Sequence, residues 1–172
     1  MTSPQKHTPE NTAYLSLGSN MDHPSNQLRE TIQRLNRLGT VKRVSSFYET
    51  EPMEFTQQPW FVNCAIELCT ALGAKPLVHE LLAIEREMGR IRTRSKGPRI
   101  IDIDLLLFND EITDEPDVKV PHPSMQQRRF VLAPLAEIAP AAFHPRLQKT
   151  VLELLKALGK SGGTVRRLAI PA

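Results

Sequence analysis

Residues 97–108 read Gly-Pro-Arg-Ile-Ile-Asp-Ile-Asp-Leu-Leu-Leu-Phe, so Asp102 and Asp104 stand inside an apolar run. Such a run reads as a buried strand, where an ionised carboxylate is costly unless something compensates it. Residues two apart in a strand share a face and lie about 6.5 Å apart along the chain. The two carboxylates therefore converge on one side, while Ile101, Ile103 and Leu105 pack on the other. Carboxylates this close resist double ionisation unless cations intervene. Arginine pairing is one solution; one or two divalent ions bridged by carboxylate, as in two-metal phosphoryl-transfer sites, is another. Aspartate ligands with no nearby cysteine suit hard Mg²⁺ rather than zinc.

Directly upstream, residues 90–99 (Arg-Ile-Arg-Thr-Arg-Ser-Lys-Gly-Pro-Arg) carry five cations and no acid. A polyphosphate asks for this pairing: metal on some oxygens and bidentate guanidinium groups on others. A nucleic-acid patch fits less well, because the adjacent carboxylates would repel a phosphate backbone. Gly159-Lys160-Ser161 follows a helical pattern instead of opening one and lacks the upstream glycine, so it is no P-loop. Gly18-Ser19-Asn20 is no dinucleotide fingerprint either.

The elements that must hold these groups follow from periodicity. A polar tail over residues 1–12 precedes a single domain over 13–172. Ala13 to Leu17 alternates as a strand ending at Gly18-Ser19-Asn20. Pro24 and Ser25 open a helix with Leu28, Ile32, Leu35 and Leu38 on one stripe, and Gly39 is placed to cap it. Val41 to Tyr48 and Trp60 to Leu68 read as strands, separated by a polar loop over 50–59. A second helix carries Pro76 in its first turn, Leu77, Leu81, Ile84 and Met88 as its stripe, and Gly89 at its end. The 97–108 strand follows. The order β-α-β-β-α-β predicts an α+β fold with a ferredoxin-like core, elaborated into a three-layer helix–sheet–helix domain. Further on come a hairpin turn at Asn109-Asp110, a short strand ending at Val120, a Pro121-His122-Pro123 corner, an apolar segment over 130–138, and a last helix opened by the capping-box pair Thr150 and Glu153.

Composition narrows the class. The net charge of +3 over 172 residues does not by itself call for nucleic acid. Cys64 and Cys69 lie five apart in one strand, on opposite faces, with neither disulfide nor zinc spacing. No run approaches the about 18 apolar residues that span a bilayer, and the N-terminus lacks a signal-peptide core. The expectation is a cytoplasmic monomer with no membrane or nucleic-acid partner.

Six segments in order, "AYLSLGSN" (13–20), "SSFYETEP" (45–52), "FVNCAIEL" (61–68), "EREMGRIR" (85–92), "GPRIIDIDLLLF" (97–108) and "VPHPSMQQRRFVLAPLAEIAP" (120–140), resemble the 6-hydroxymethyl-7,8-dihydropterin pyrophosphokinase family. The resemblance covers roughly residues 13 to 158. It implies transfer of pyrophosphate from ATP to the pterin hydroxymethyl group, releasing AMP, on the route to folate, with ATP as co-substrate and two Mg²⁺ ions. By motif position, Asp102 and Asp104 match the metal ligands. Arg90, Arg92 and Arg99 match triphosphate-binding arginines, with Arg90 and Arg99 the pair that follows charge into the transition state. His122 and Arg128 match further nucleotide contacts, and Glu85 a position near the ribose. Phe61 and Phe130 match the aromatic pair enclosing the pterin, Asn63 the amide reading its edge, and Thr50, Pro52 and Met53 the loop beside it. Asn20 matches a site-facing position after the first strand. Lys96, Leu82 and Pro123 depart from some members, which bears on nucleotide affinity. The loops at 51–59 and 90–99 are expected to close over the substrates.

The chemistry is coherent on the residues alone. Pyrophosphoryl transfer asks mainly for positioning and charge neutralisation, and a flat pterin suits two phenyl faces with an amide that both donates and accepts. Two other readings remain open from sequence. A metal-dependent phosphodiesterase would use the aspartate pair but leave Phe61, Asn63 and Phe130 idle; a non-catalytic nucleic-acid-binding module would bind through the basic loop with steep salt dependence.

Overall fold

A computed structural model of the protein describes residues 10–90 and 97–169. The first half runs β1 (Asn11–Ser19), α1 (Pro24–Leu35), β2 (Thr40–Val44), β3 (Tyr48–Thr50), β4 (Phe61–Thr70), α2 (Ala74–Glu87) and β5 (Asp102–Phe108). The second half adds a two-stranded ribbon, β6 (Thr113–Asp114) with β7 (Lys119–Val120), then a 3₁₀ turn (Met125–Gln127) and α3 (Arg129–Ile138). A second ribbon, β8 (Phe143–His144) with β9 (Lys149–Thr150), leads into α4 (Val151–Leu158) and β10 (Val165–Arg167).

The main sheet is antiparallel, ordered β10-β3-β4-β1-β5, with β2 also on β4. Taking β2 and β3 as one interrupted strand, this is the split βαβ order of a ferredoxin-like sheet. Cross-strand partners share a face. Asp102, Gly18, Asn63 and Tyr48 form one such row, and Asp104, Ser16 and Ala65 the next. The opposite face carries Leu15, Leu17, Cys64, Ile66, Ile103 and Leu105, packed under the α1 and α2 stripes that include Leu28, Leu35, Leu77, Leu81 and Ile84. On the carboxylate-bearing face, Ala65, Leu106 and Leu107 meet Val131, Leu132 and Leu135 of α3 and Val151 and Leu154 of α4. Helices thus cover both faces, while the sheet end holding Asp102 stays open beyond the second layer.

Several local expectations change. The first strand starts two residues earlier than the alternation predicts, because Asn11 and Thr12 pair with Thr70 and Cys69. Val41 to Tyr48 is two strands. Ser45 breaks the ladder by giving its backbone N–H to Ala65 O (2.9 Å) while its hydroxyl accepts from Ala65 N (2.8 Å). The next amide, Ser46 N, turns away to Glu137 at 3.0 Å. Gly39 is no helix cap: α1 ends at Asn36, and a Cβ at Gly39 would overlap the Cys69 carbonyl. The turn at Asn109-Asp110 is present, with Asn109 at φ +47, but the short strand ending at Val120 pairs with β6 instead of β5. The segment 97–101 precedes β5 as a loop. The apolar segment after Arg128 is helix α3, which tolerates Pro134 although that residue lacks an N–H to return to Phe130. The capping box of Thr150 and Glu153 is formed in both directions. Cys64 and Cys69 are free thiols, and burial pushes the Cys64 thiol pKa upward.

Candidate active site

The open end of the sheet forms a cavity of about 320 Å³. Its floor comes from β1, β4 and β5 through Ser16, Gly18, Phe61, Asn63, Asp102 and Asp104. One side is Thr50 at the end of β3 and the loop after it, with Glu51, Pro52, Met53, Glu54 and Gln58; the other is Ser124, Gln127, Arg128 and Phe130 at the entrance to α3. Arg99 closes the end nearest the carboxylates. One cavity therefore gathers Thr50, Pro52, Met53, Phe61, Asn63, Arg99, Asp102, Asp104, Arg128 and Phe130 from the sequence expectation.

The two aspartates have unlike surroundings. Asp102 is saturated by guanidinium: Arg90 Nη1 donates to its Oδ1 at 2.7 Å and Arg99 Nη1 to its Oδ2 at 2.8 Å. Arg90 Nη1 also donates to Glu85 Oε1 at 2.8 Å, and the same oxygen accepts from Ile103 N at 2.8 Å. Glu85 is 3% exposed and does not line the cavity; its visible work is to hold Arg90 and the start of β5. The Asp104 carboxylate has no hydrogen-bond or ion-pair partner among the described residues. Burial, then the neighbouring Asp102 charge, push its carboxyl pKa above the ordinary range, with Arg128 opposing. Arginine pairing therefore answers for Asp102 and leaves Asp104 unanswered.

The flat end is built by packing. Gly18 leaves the space that Asn63 fills, since a Cβ there would sit 2.5 Å from Asn63 Oδ1. Asn63 Nδ2 donates to Thr50 Oγ1 at 2.5 Å, fixing the amide across the β3–β4 pair. The guanidinium of Arg99 lies 5.4 Å from the Phe61 ring centre and that of Arg128 lies 5.7 Å from Phe130, so each phenyl ring carries one of the cavity's cations. Arg128 and Arg129, adjacent and chemically alike, separate here: Arg128 lines the cavity, whereas Arg129 Nε donates to Ser161 O at 3.1 Å.

Asn20 is a junction. Its Nδ2 donates to Gln58 Oε1 (2.9 Å) and Pro59 O (3.0 Å), and its Oδ1 accepts from Arg99 N (2.8 Å). The side chain, only 4% exposed, joins the 51–59 loop to the loop bearing Arg99. His122 stands outside the cavity lining. Its backbone N–H bonds Leu106 O at 2.9 Å and its Nδ1 accepts from Ser124 N at 3.2 Å. Burial, then Arg128, lower its pKa to about 4, so it is neutral at pH 7. Arg92 and Lys96 lie outside the described residues. Sequence reading passed over Ser16, Gly18, Glu51, Glu54, Gln58, Ser124 and Gln127; for Ser16 and Gly18, pairing β1 against the aspartate strand would have found them.

Carboxylates and guanidiniums beside a phenyl–amide slot, in one cavity at the open end of a ferredoxin-like sheet, define a site suited to a polyphosphate next to a planar heterocycle. The sequence model of the 7,8-dihydro-6-hydroxymethylpterin-pyrophosphokinase (HPPK) family matches residues 14–140, and the chain belongs to that family. It is 45% identical over 130 residues to the 2-amino-4-hydroxy-6-hydroxymethyldihydropteridine pyrophosphokinase of Bacillus subtilis, covering 74% of this chain and 78% of the relative. It is 35% identical over 161 residues to the folic acid synthesis protein FOL1 of Dictyostelium discoideum, covering 94% of this chain but spanning only 24% of that longer protein. The crystal structure of Plasmodium falciparum HPPK-DHPS with pterin and p-hydroxybenzoate shares the fold, with a TM-score of 0.67 at 18% identity over 87% of this chain and 42% of that one. The phosphodiesterase and nucleic-acid readings draw no support from these likenesses. Among the described residues, no helix is long and apolar enough to cross a membrane.

Proposed function

We propose that this protein transfers the pyrophosphoryl group of ATP to the hydroxymethyl group of 6-hydroxymethyl-7,8-dihydropterin, giving the pterin diphosphate and AMP, as a step of folate biosynthesis. The observation that carries the reading is the single cavity uniting Phe61, Asn63 and Phe130 with Asp102, Asp104, Arg99 and Arg128.

In this reading the pterin lies between Phe61 and Phe130, its amide-like edge paired with Asn63 and with backbone groups of the Thr50–Met53 loop. Asn63, already held by Thr50, meets that edge in a fixed orientation. Its hydroxymethyl arm then points toward the carboxylates. Arg99, Arg128, Arg90 and Arg92 bind triphosphate oxygens, and Arg90 and Arg99 follow charge as the bond between the α- and β-phosphates breaks. Glu85 keeps Arg90 aimed.

The residues fit Mg²⁺. An unpartnered Asp104 beside Asp102 offers oxygen donors alone, and no cluster of three acidic, histidine or cysteine ligands exists among the described residues. That suits an ion held by one or two carboxylates plus substrate phosphate oxygens, and two such ions are expected. When bound, Mg²⁺ supplies charge neutralisation between the phosphates and the attacking hydroxyl. We take the enzyme to act as a monomer in the cytoplasm. Incubation with ATP, Mg²⁺ and the reduced hydroxymethylpterin tests the reading: AMP forms one-for-one with pterin diphosphate and not without pterin. Pterin-independent nucleotide hydrolysis, or no AMP, overturns it.

A further inference from the structure

Residues 161–167 connect the two walls of the cavity, and this segment lies beyond residues 14–140, where the family match ends. On one wall, β10 pairs with β3 so that Val165 stands opposite Thr50, and Glu51 N donates to Thr164 O at 3.1 Å. On the other, Arg129 N donates to Gly162 O at 3.4 Å and Arg129 Nε to Ser161 O at 3.1 Å. Thr50 and Glu51 line the cavity from the first wall; Arg128 and Phe130, the neighbours of Arg129, line it from the second.

Between these attachments stand two consecutive glycines, each facing one wall. Gly162 has φ +89, and a Cβ there would lie 2.8 Å from Leu158 Cδ2 of α4 and 2.9 Å from the Arg129 backbone N at the start of α3. Gly163 has φ +94, and a Cβ there would lie 2.6 Å from Met53 Sδ. Positive φ explains the residue type on its own. It does not explain why the space beside each glycine is taken by a wall of the cavity. Gly159 shows the contrast: φ is +60, yet a Cβ would meet nothing within 4 Å.

We propose that residues 161–167 are a positioning strap for the pterin slot, and that Gly163 sets the conformation of Met53 and hence the width of the slot. A bare edge-covering strand would need β10 alone; this one also holds the entrance of α3. Met53 is 46% exposed and unbranched, so its thioether turns easily, and the absent side chain at 163 is what lets it lie against the strap. The proposal rests on the pterin pyrophosphokinase reading and adds to it a residue that determines pterin affinity without touching ATP.

The test is Gly163→Ala, with Gly159→Ala as the control for positive-φ strain and Met53→Ala as the background that removes the contact. Dissociation constants for the reduced hydroxymethylpterin are measured with a non-hydrolysable Mg–ATP analogue bound, and for the analogue alone, followed by KM and kcat for both substrates. Gly163→Ala weakens pterin binding by at least about fivefold, the scale of a small misplacement in a positioned site, and leaves the nucleotide constant within about twofold. Gly159→Ala leaves both unchanged. In the Met53→Ala background, adding Gly163→Ala has little further effect, as groups in contact are non-additive. An unchanged pterin constant for Gly163→Ala, or an equal loss in the Met53→Ala background, overturns the strap while the enzyme reading stands. Wild-type protein that binds no pterin overturns both.

Discussion

Replacing each aspartate by asparagine separates the two carboxylates that sequence treats as a matched pair. Asp104 is half-buried on the cavity floor and its carboxylate has no hydrogen-bond or ion-pair partner among the described residues, so Asp104→Asn keeps the shape and removes a charge held beside Asp102. Relief of that partial desolvation and like-charge repulsion is on the order of 1 kcal/mol, a rise in Tm of about 3 °C for a chain of this size. Asp102 receives charge-assisted bonds of 2.7 and 2.8 Å from Arg90 and Arg99. Asp102→Asn leaves Arg99 without its carboxylate and Arg90 with Glu85 alone, and costs about 2 kcal/mol, a fall of about 6 °C. Both variants lose turnover by at least about a hundredfold, since even outer partners of a metal ligand are worth up to that much. The pH dependence has a definite sign. The raised Asp104 pKa means that the folded protein binds this proton more tightly than the unfolded chain does. Wild-type stability from this group is therefore present in acid and lost as pH rises through the folded value. The Asp104→Asn advantage is full at pH 8 and closes below about pH 4, where the carboxyl is protonated in both states. Thermal scans in a chelating buffer across this range decide it. A lower Tm for Asp104→Asn at pH 8, or an advantage that grows on acidification, refutes the assignment of an unpartnered carboxylate.

Other outcomes follow from the same geometry. Phe130→Ala weakens pterin binding by about 1–3 kcal/mol, the scale of base–aromatic stacking, measured by calorimetry; an unchanged affinity would return Phe130 to a purely structural role. Asn20→Ala removes the bonds joining the two loops and costs about 1–3 kcal/mol locally, seen as faster amide exchange at Arg99; unchanged protection there would mean the junction is held by other groups. Thr150→Ala deletes the α4 capping box and lowers stability by about 1 kcal/mol in denaturant titrations, with KM for both substrates unchanged; a shifted KM would show that α4 does more than support the sheet.

The parts of the structure legible in sequence are those whose cause is local. The two-residue spacing of Asp102 and Asp104 assigned them to one face, and register with Gly18 and Ser16 agrees. The stripes of α1 and α2 and the Thr150–Glu153 box are likewise short-range patterns. The break between β2 and β3 was not readable, because Ser46 turns out of the ladder toward Glu137, 91 positions downstream. The unlike fates of the two aspartates were also hidden, since they depend on where Arg90 and Arg99 fold back. Gly39 looked like a cap because glycine often ends helices; its true constraint, the carbonyl of Cys69, belongs to another strand. Arg128 and Arg129 are indistinguishable by composition, and only the turn into α3 sends one to the cavity and the other to Ser161.

The two guanidiniums on Asp102 carry one more implication. Asp102 serves as an internal counter-ion to both arginines, in the place that the proposed anionic substrate would take. On the proposed reading, an incoming triphosphate would meet arginines already partly desolvated and already aimed, so that capture would be an exchange of anionic partners, with Asp102 freed for the accompanying cation.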